Sequence, residues 1–173
     1  FVLAGCAFPS HRNTGTATTP ASAEQERPGL ATQWGETRTS QVTNTWFTRA
    51  NSNTPTATAI LYYNNQAGVE RMAGWSNYQR LPAELYSVGE GLVSFGIRDE
   101  SGRLLDGLIA DGNRYVIGET GRRYSILVRN NTGYRLEAVI SVDGLDVLDG
   151  KPATVAKSGY VIAPYSTLQV DGF

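Results

Sequence analysis

Three aspartates spaced three apart, Asp143, Asp146 and Asp149, form the most regular set of chemically capable side chains in this 173-residue chain. Oxygen-rich loops bind calcium, so the run Val142-Asp143-Gly144-Leu145-Asp146-Val147-Leu148-Asp149-Gly150 is a candidate cation loop. On a strand, however, a spacing of three sends successive carboxylates to opposite faces. Asp143-Gly144 and Asp149-Gly150 read more simply as two turns flanking a short strand, and no metal or other cofactor is expected. Other chemistry is narrowed by what is missing. From residue 29 onward there is neither histidine nor cysteine, which leaves no base for a Ser-His or Cys-His nucleophile and no usual zinc ligand. Gly89-Glu90-Gly91 lacks the lysine and helix of a phosphate loop. General acid–base hydrolysis by two scattered carboxylates remains open, although no pair is marked by spacing.

Aromatic side chains are the second resource, with three Trp, nine Tyr and five Phe. Exposed rings on a β-sandwich can stack on sugar rings. Trp75, Tyr78, Tyr86 and Tyr165 fall in turn-rich stretches and are the candidates for a glycan or peptidoglycan surface. The competing reading is that they pack at core edges with a satisfied polar tip. Charge points away from nucleic acid: 15 basic and 16 acidic residues give a net charge of -1, without the clustered basic surface that phosphate binding needs. Arg122-Arg123, Arg129 and Arg135 alternate with apolar positions and read as a solvated face.

The amino terminus carries the most specific signal. Phe1-Val2-Leu3-Ala4-Gly5-Cys6 places an aliphatic residue and two small residues before the only cysteine of the chain. This resembles the lipobox of bacterial lipoprotein precursors. The resemblance implies a diacylglycerol on the Cys6 sulfur and cleavage before it, so that residues 1–5 are the end of a signal peptide. Acyl chains stabilise membrane attachment by about 0.8 kcal/mol per buried methylene, and two or more of them anchor firmly. Ala7 rather than aspartate after the cysteine implies an outer-membrane address facing the periplasm.

Residues 6–28 are rich in Thr, Ser, Ala and Pro and have no periodicity, the composition of a disordered tether. Its 22 residues after Cys6 would reach about 25 Å. The single histidine, His11, falls in this stretch, where a preorganised site is not expected.

From residue 29 the pattern becomes that of strands. Thr56–Tyr63, Leu92–Arg98, Arg103–Ala110, Asn113–Gly118 and Tyr124–Arg129 are β-branched or aromatic runs separated by turn signals such as Asp99-Glu100-Ser101-Gly102 and Asp111-Gly112. Tyr134–Asp143 alternates over ten residues with one wholly apolar face and reads as one half-buried antiparallel strand, paired across Asn130-Asn131-Thr132-Gly133. Gly159–Ala163 and Thr167–Val170 complete the set. Ala67–Ala73 is the best helical stretch, but it is short and contains Gly68, so no helix is expected. The fold expected for residues 29–173 is an all-β antiparallel sandwich or small barrel.

The stretches Arg129–Gly133, Ser141–Val147, Gly159–Ile162 and Val170–Phe173, with Pro28-Gly29 and Trp34-Gly35-Glu36, resemble a group of uncharacterised proteobacterial exported proteins. That resemblance implies an exported protein and carries over no activity and no catalytic residues. The functional expectation is a lipid-anchored, non-enzymatic binding or interaction module. Its partners would be the membrane through the anchor and an envelope protein or glycan. A carbohydrate-binding sandwich is the first alternative and a carboxylate-dependent hydrolase the second.

Overall fold

The computed structural model describes residues 43–74 and 78–173. The lipobox, Cys6, the tether and Trp75 lie outside the described residues.

Two four-stranded sheets face each other across one core. The first sheet is built from β1 (Tyr62–Asn64), β2 (Gln79–Leu81), β5 (Gly107–Ala110) and β6 (Asn113–Ile117), in the order β1-β6-β5-β2. The second holds β3 (Tyr86–Val88), β4 (Val93–Asp99), β7 (Tyr124–Asn130) and β12 (Thr167–Asp171), in the order β12-β7-β4-β3, wholly antiparallel. Two short ribbons complete the domain. One pairs β8 (Leu136–Ala138) with β11 (Tyr160–Ile162), and the other pairs β9 (Ser141–Val142) with β10 (Leu145–Asp146). The architecture is an all-β sandwich, and its sheets do not close into a barrel.

Side-chain alternation explains the layers. In β7, Tyr124, Ile126 and Val128 point inward while Ser125, Leu127 and Arg129 face away. They meet Phe95 and Ile97 of β4, Val116 of β6, Val170 of β12, Ala138 and Ile162 of the β8–β11 ribbon, and Ile140 between β8 and β9. The other face of β6 carries Tyr115, which packs with Leu108 and Ala110 of β5 against Val69 and Ala73 of α1 (Gln66–Ala73). The first sheet is therefore covered on both faces, by the second sheet and by a helix.

That helix corrects the sequence expectation. The Asn65 side chain caps it by accepting the Gly68 N–H at 2.8 Å, and Val69 and Ala73, four apart, form its buried stripe. Gly68, which argued against a helix, sits against the Asn64 amide, which would have to move to admit a Cβ there.

Two further expectations fail. Tyr134–Asp143 is not one strand: it breaks at Val139 and Ile140, which are both buried, so that β8 and β9 run separately. Nor does it pair with β7, whose neighbours are β4 and β12. The turns fare better. Asp111-Gly112 and Asp143-Gly144 each place two successive residues at positive φ (48° and 74°, 50° and 81°), closing two-residue hairpins.

Candidate functional site

Asn130, at the end of β7, is 0% exposed and organises the neighbouring loops. Its Nδ2 donates to the carbonyls of Tyr134 (2.6 Å), Ala163 (3.0 Å) and Ile162 (3.2 Å). Its Oδ1 accepts from the Thr132 N–H and hydroxyl, both at 2.8 Å. One satisfied amide thus ties the loop after β7 to the loop between β11 and β12. Tyr165 N–H adds a bond to Thr132 O at 3.1 Å.

These loops lift two rings into solvent. Tyr134 is 78% and Tyr165 70% exposed. Tyr165 sits in the left-handed region, with φ at 54°, a backbone conformation costly for a bulky side chain. The phenol end of its ring neighbours Gly133, where a Cβ would lie 3.4 Å from the phenol oxygen. Backbone strain of this kind, at Tyr165, is found where structure serves binding.

The segment at residues 45–47 is tied to Arg135. Arg135 donates to Trp46 O at 2.9 Å and Thr45 Oγ1 at 3.0 Å, and its guanidinium lies 5.9 Å from the Phe47 ring centre. Trp46 itself is 96% exposed. Arg49 secures the arm: it pairs with Glu137 of β8 and donates to the Val155 and Lys157 carbonyls, while Glu137 also accepts Gly159 N–H at 2.7 Å.

Burial pushes the Glu137 carboxyl up, but the bonds from Arg49 and Gly159 outweigh it and hold the group below its ordinary value. A carboxyl depressed by folding stabilises fully above the unfolded-state range, and the contribution disappears as pH falls through the folded value. Arg49→Ala is therefore expected to cost about 2 kcal/mol near neutral pH, with the gap from wild type narrowing in acid. Urea midpoints near pH 7 and near pH 3 check it; a gap independent of pH would exclude the ion pair as the cause.

The sequence-chosen residues disperse. Tyr165 belongs to this edge. Tyr78 is 37% exposed beside β2, on the other sheet. Tyr86, at 2% exposure, is a core side chain packed edge-on against Phe95 with Arg114 over its ring, and offers no face to solvent. Trp46 and Tyr134 were missed, Tyr134 because alternation placed it on a buried strand face.

The aspartates have turn roles. Asp146 is buried, with Oδ1 accepting Leu148 N–H at 2.8 Å, while Asp149 accepts from Lys151 N–H at 2.9 Å and Lys157 Nζ at 2.6 Å. Asp143 holds the β9–β10 turn. Among the described residues no group of three His, Cys, Asp or Glu converges as a metal site.

A shallow polar cleft of about 240 Å³ lies over the ends of β4, β7 and β12, with Asp99, Glu100 and Asp171 in its lining. Each acid accepts hydrogen bonds from neighbours: Asp99 from Ser101 and Arg103, Glu100 from Arg122, and Asp171 from Ser125 and Gln169. The Ser101 hydroxyl, assisted by backbone N–H groups and opposed by slight desolvation, holds Asp99 below its usual value. A general acid needs the opposite shift.

No family model, curated protein or solved structure matches this chain.

Proposed function

We propose that this chain is a non-enzymatic binding module, held at the bacterial cell envelope by lipid on Cys6 and engaging its partner through the edge formed by Trp46, Tyr134 and Tyr165. The observation that carries the binding assignment is the buried Asn130 amide, which fixes two loops so that large rings stand exposed. An isolated exposed ring needs no explanation; rings supported by a fully satisfied internal network and a left-handed tyrosine do. The anchor rests on Leu3-Ala4-Gly5-Cys6 and on Cys6 being the only cysteine. An outer-membrane address facing the periplasm follows from Ala7. The 22 residues from Ala7 to Pro28 act as the spacer between bilayer and domain.

Intact-mass measurement of membrane-extracted protein beside Cys6→Ala tests the anchor. Lipid mass on the first and an aqueous location for the second are expected; an unmodified thiol on aqueous wild type would exclude it. Binding is tested by co-sedimentation of the Cys6→Ala chain with envelope fractions. The variant that also carries Trp46→Ala, Tyr134→Ala and Tyr165→Gly is expected to remain in the supernatant, and retention equal to the parent would remove the edge from the function.

A further inference from the structure

We infer that two copies of this chain associate by pairing β12 with β12, antiparallel about a twofold axis at Gln169, so that their second sheets join into one. This self-association does not depend on the binding reading above.

The register fixes which groups of β12 point outward. Asn130 N–H donates to Ser166 O at 2.9 Å, and the pairing runs on through Val128–Leu168 and Ile126–Val170. Antiparallel ladders alternate bonded and non-bonded pairs. Ser166, Leu168 and Val170 therefore bond to β7, while Thr167, Gln169 and Asp171 turn their main-chain N–H and C=O away from it. Among the described residues no strand pairs with that side. The border is also long, since β12 has five residues where β1, β2 and β3 have three each. Thr167–Asp171 contains neither proline nor lysine, the residues that commonly block an open border.

The side chains suit a second copy of the same strand, in one register. With the axis at Gln169, Gln169 faces Gln169 of the other copy. Within each copy Arg98 donates to Gln169 Oε1, and Gln169 Nε2 donates to Asp171 Oδ1 at 2.6 Å. These bonds orient the amide, and its second N–H and second lone pair serve its counterpart. Thr167 faces Asp171 of the other copy, a hydroxyl donor against a carboxylate, and the symmetry makes this contact twice. On the inner face the half-buried Leu168 meets Val170. Matching of a patch to itself is what a twofold contact demands. An axis at Asp171 would instead set two carboxylates face to face. An axis at Thr167 would draw in Tyr165, whose left-handed backbone takes it out of strand conformation.

Sedimentation velocity of the Cys6→Ala chain from about 1 µM to about 1 mM should show a reversible monomer–dimer equilibrium. Amide hydrogen exchange at Thr167 and Gln169 should slow as concentration rises, while Leu168 and Val170 are protected throughout. Gln169→Glu preserves side-chain size and gives Arg98 an acid to pair with, so the fold is expected to hold. It also sets two carboxylates at the axis, and the dimer dissociation constant should rise about tenfold or more. Three results would each overturn the inference. One is a chain that stays monomeric at the highest concentration, and another is a dimer indifferent to Gln169→Glu. The third is protection of the Thr167 and Gln169 amides already at the lowest concentration, as a segment of the same chain lying on β12 would produce.

Discussion

Replacing Asn130 by aspartate is expected to remove about 4 kcal/mol of stability at neutral pH, a large share of what a domain of this size possesses. The substitution is nearly isosteric, so packing is preserved and the effect is electrostatic. Where Nδ2 now donates to three carbonyls, a carboxylate would present an acceptor to acceptors in a site with no solvent access. Burial and the carbonyl dipoles push the folded-state pKa of the new acid far above its unfolded value near 4. The sign follows directly. Below that value both states are protonated and the deficit is small. It grows by about 1.4 kcal/mol per pH unit as pH rises, until the folded pKa is passed. Urea titrations from acid to neutral pH measure it; a deficit that stays flat with pH would mean the amide is not enclosed as described. The loops carrying Tyr134 and Tyr165 should loosen first.

Gly107→Ala should be the most damaging single methyl in the first sheet, costing about 3 kcal/mol. A Cβ at that point of β5 would fall within 2.5 Å of the Tyr115 carbonyl oxygen and closer still to the Tyr86 hydroxyl. One obstacle is backbone and cannot rotate away, so the β5–β6 pairing must shift. The other obstacle is removable. The Tyr86 hydroxyl is buried with no hydrogen-bond partner among the described residues, and such a group costs about 1–3 kcal/mol. Tyr86→Phe alone is therefore expected to stabilise by about 1 kcal/mol. The double variant should recover more of the Gly107→Ala loss than the two separate effects add up to, because both changes act on one contact. Strict additivity in thermal or urea unfolding would show that the hydroxyl is not part of the clash.

Features governed by neighbouring residues were legible in the sequence. Alternation in Tyr124–Arg129 located β7, and Asp-Gly pairs marked two hairpins, because positive φ is a demand on the residue itself. Features governed by distant packing were not. The ten-residue alternation of Tyr134–Asp143 fits one strand, yet Val139 and Ile140 are both buried where the chain changes direction, so the alternation outlasts the strand. Gly68 reads as a helix breaker until the Asn64 side chain occupies the space beside it. The partner of Tyr62–Asn64 is β6, in a parallel register that no local pattern marks.

The candidate edge divides along the same line. Tyr165 was legible as an aromatic in a Pro-containing turn, whereas Tyr86 in a similar context fills the core. Trp46 stands in an arm whose position depends on Arg49 finding Glu137 and on Arg135 reaching back to it. Asn130, the organising group, reads as an ordinary turn asparagine, since a turn amide and a buried hub share one residue type.

The parallel pairing of Tyr62–Asn64 with Tyr115–Ile117 bears on how the chain matures. Strand β1, ending at Asn64, leaves the ribosome about fifty residues ahead of its sheet partner, an interval of several seconds at ordinary synthesis rates. Throughout it the segment can satisfy its backbone only with water, a chaperone or another unfinished copy. Delayed closure of this kind slows folding. A substitution weakening β6 would show itself first as lower yield, before any loss of stability in the molecules that complete the fold.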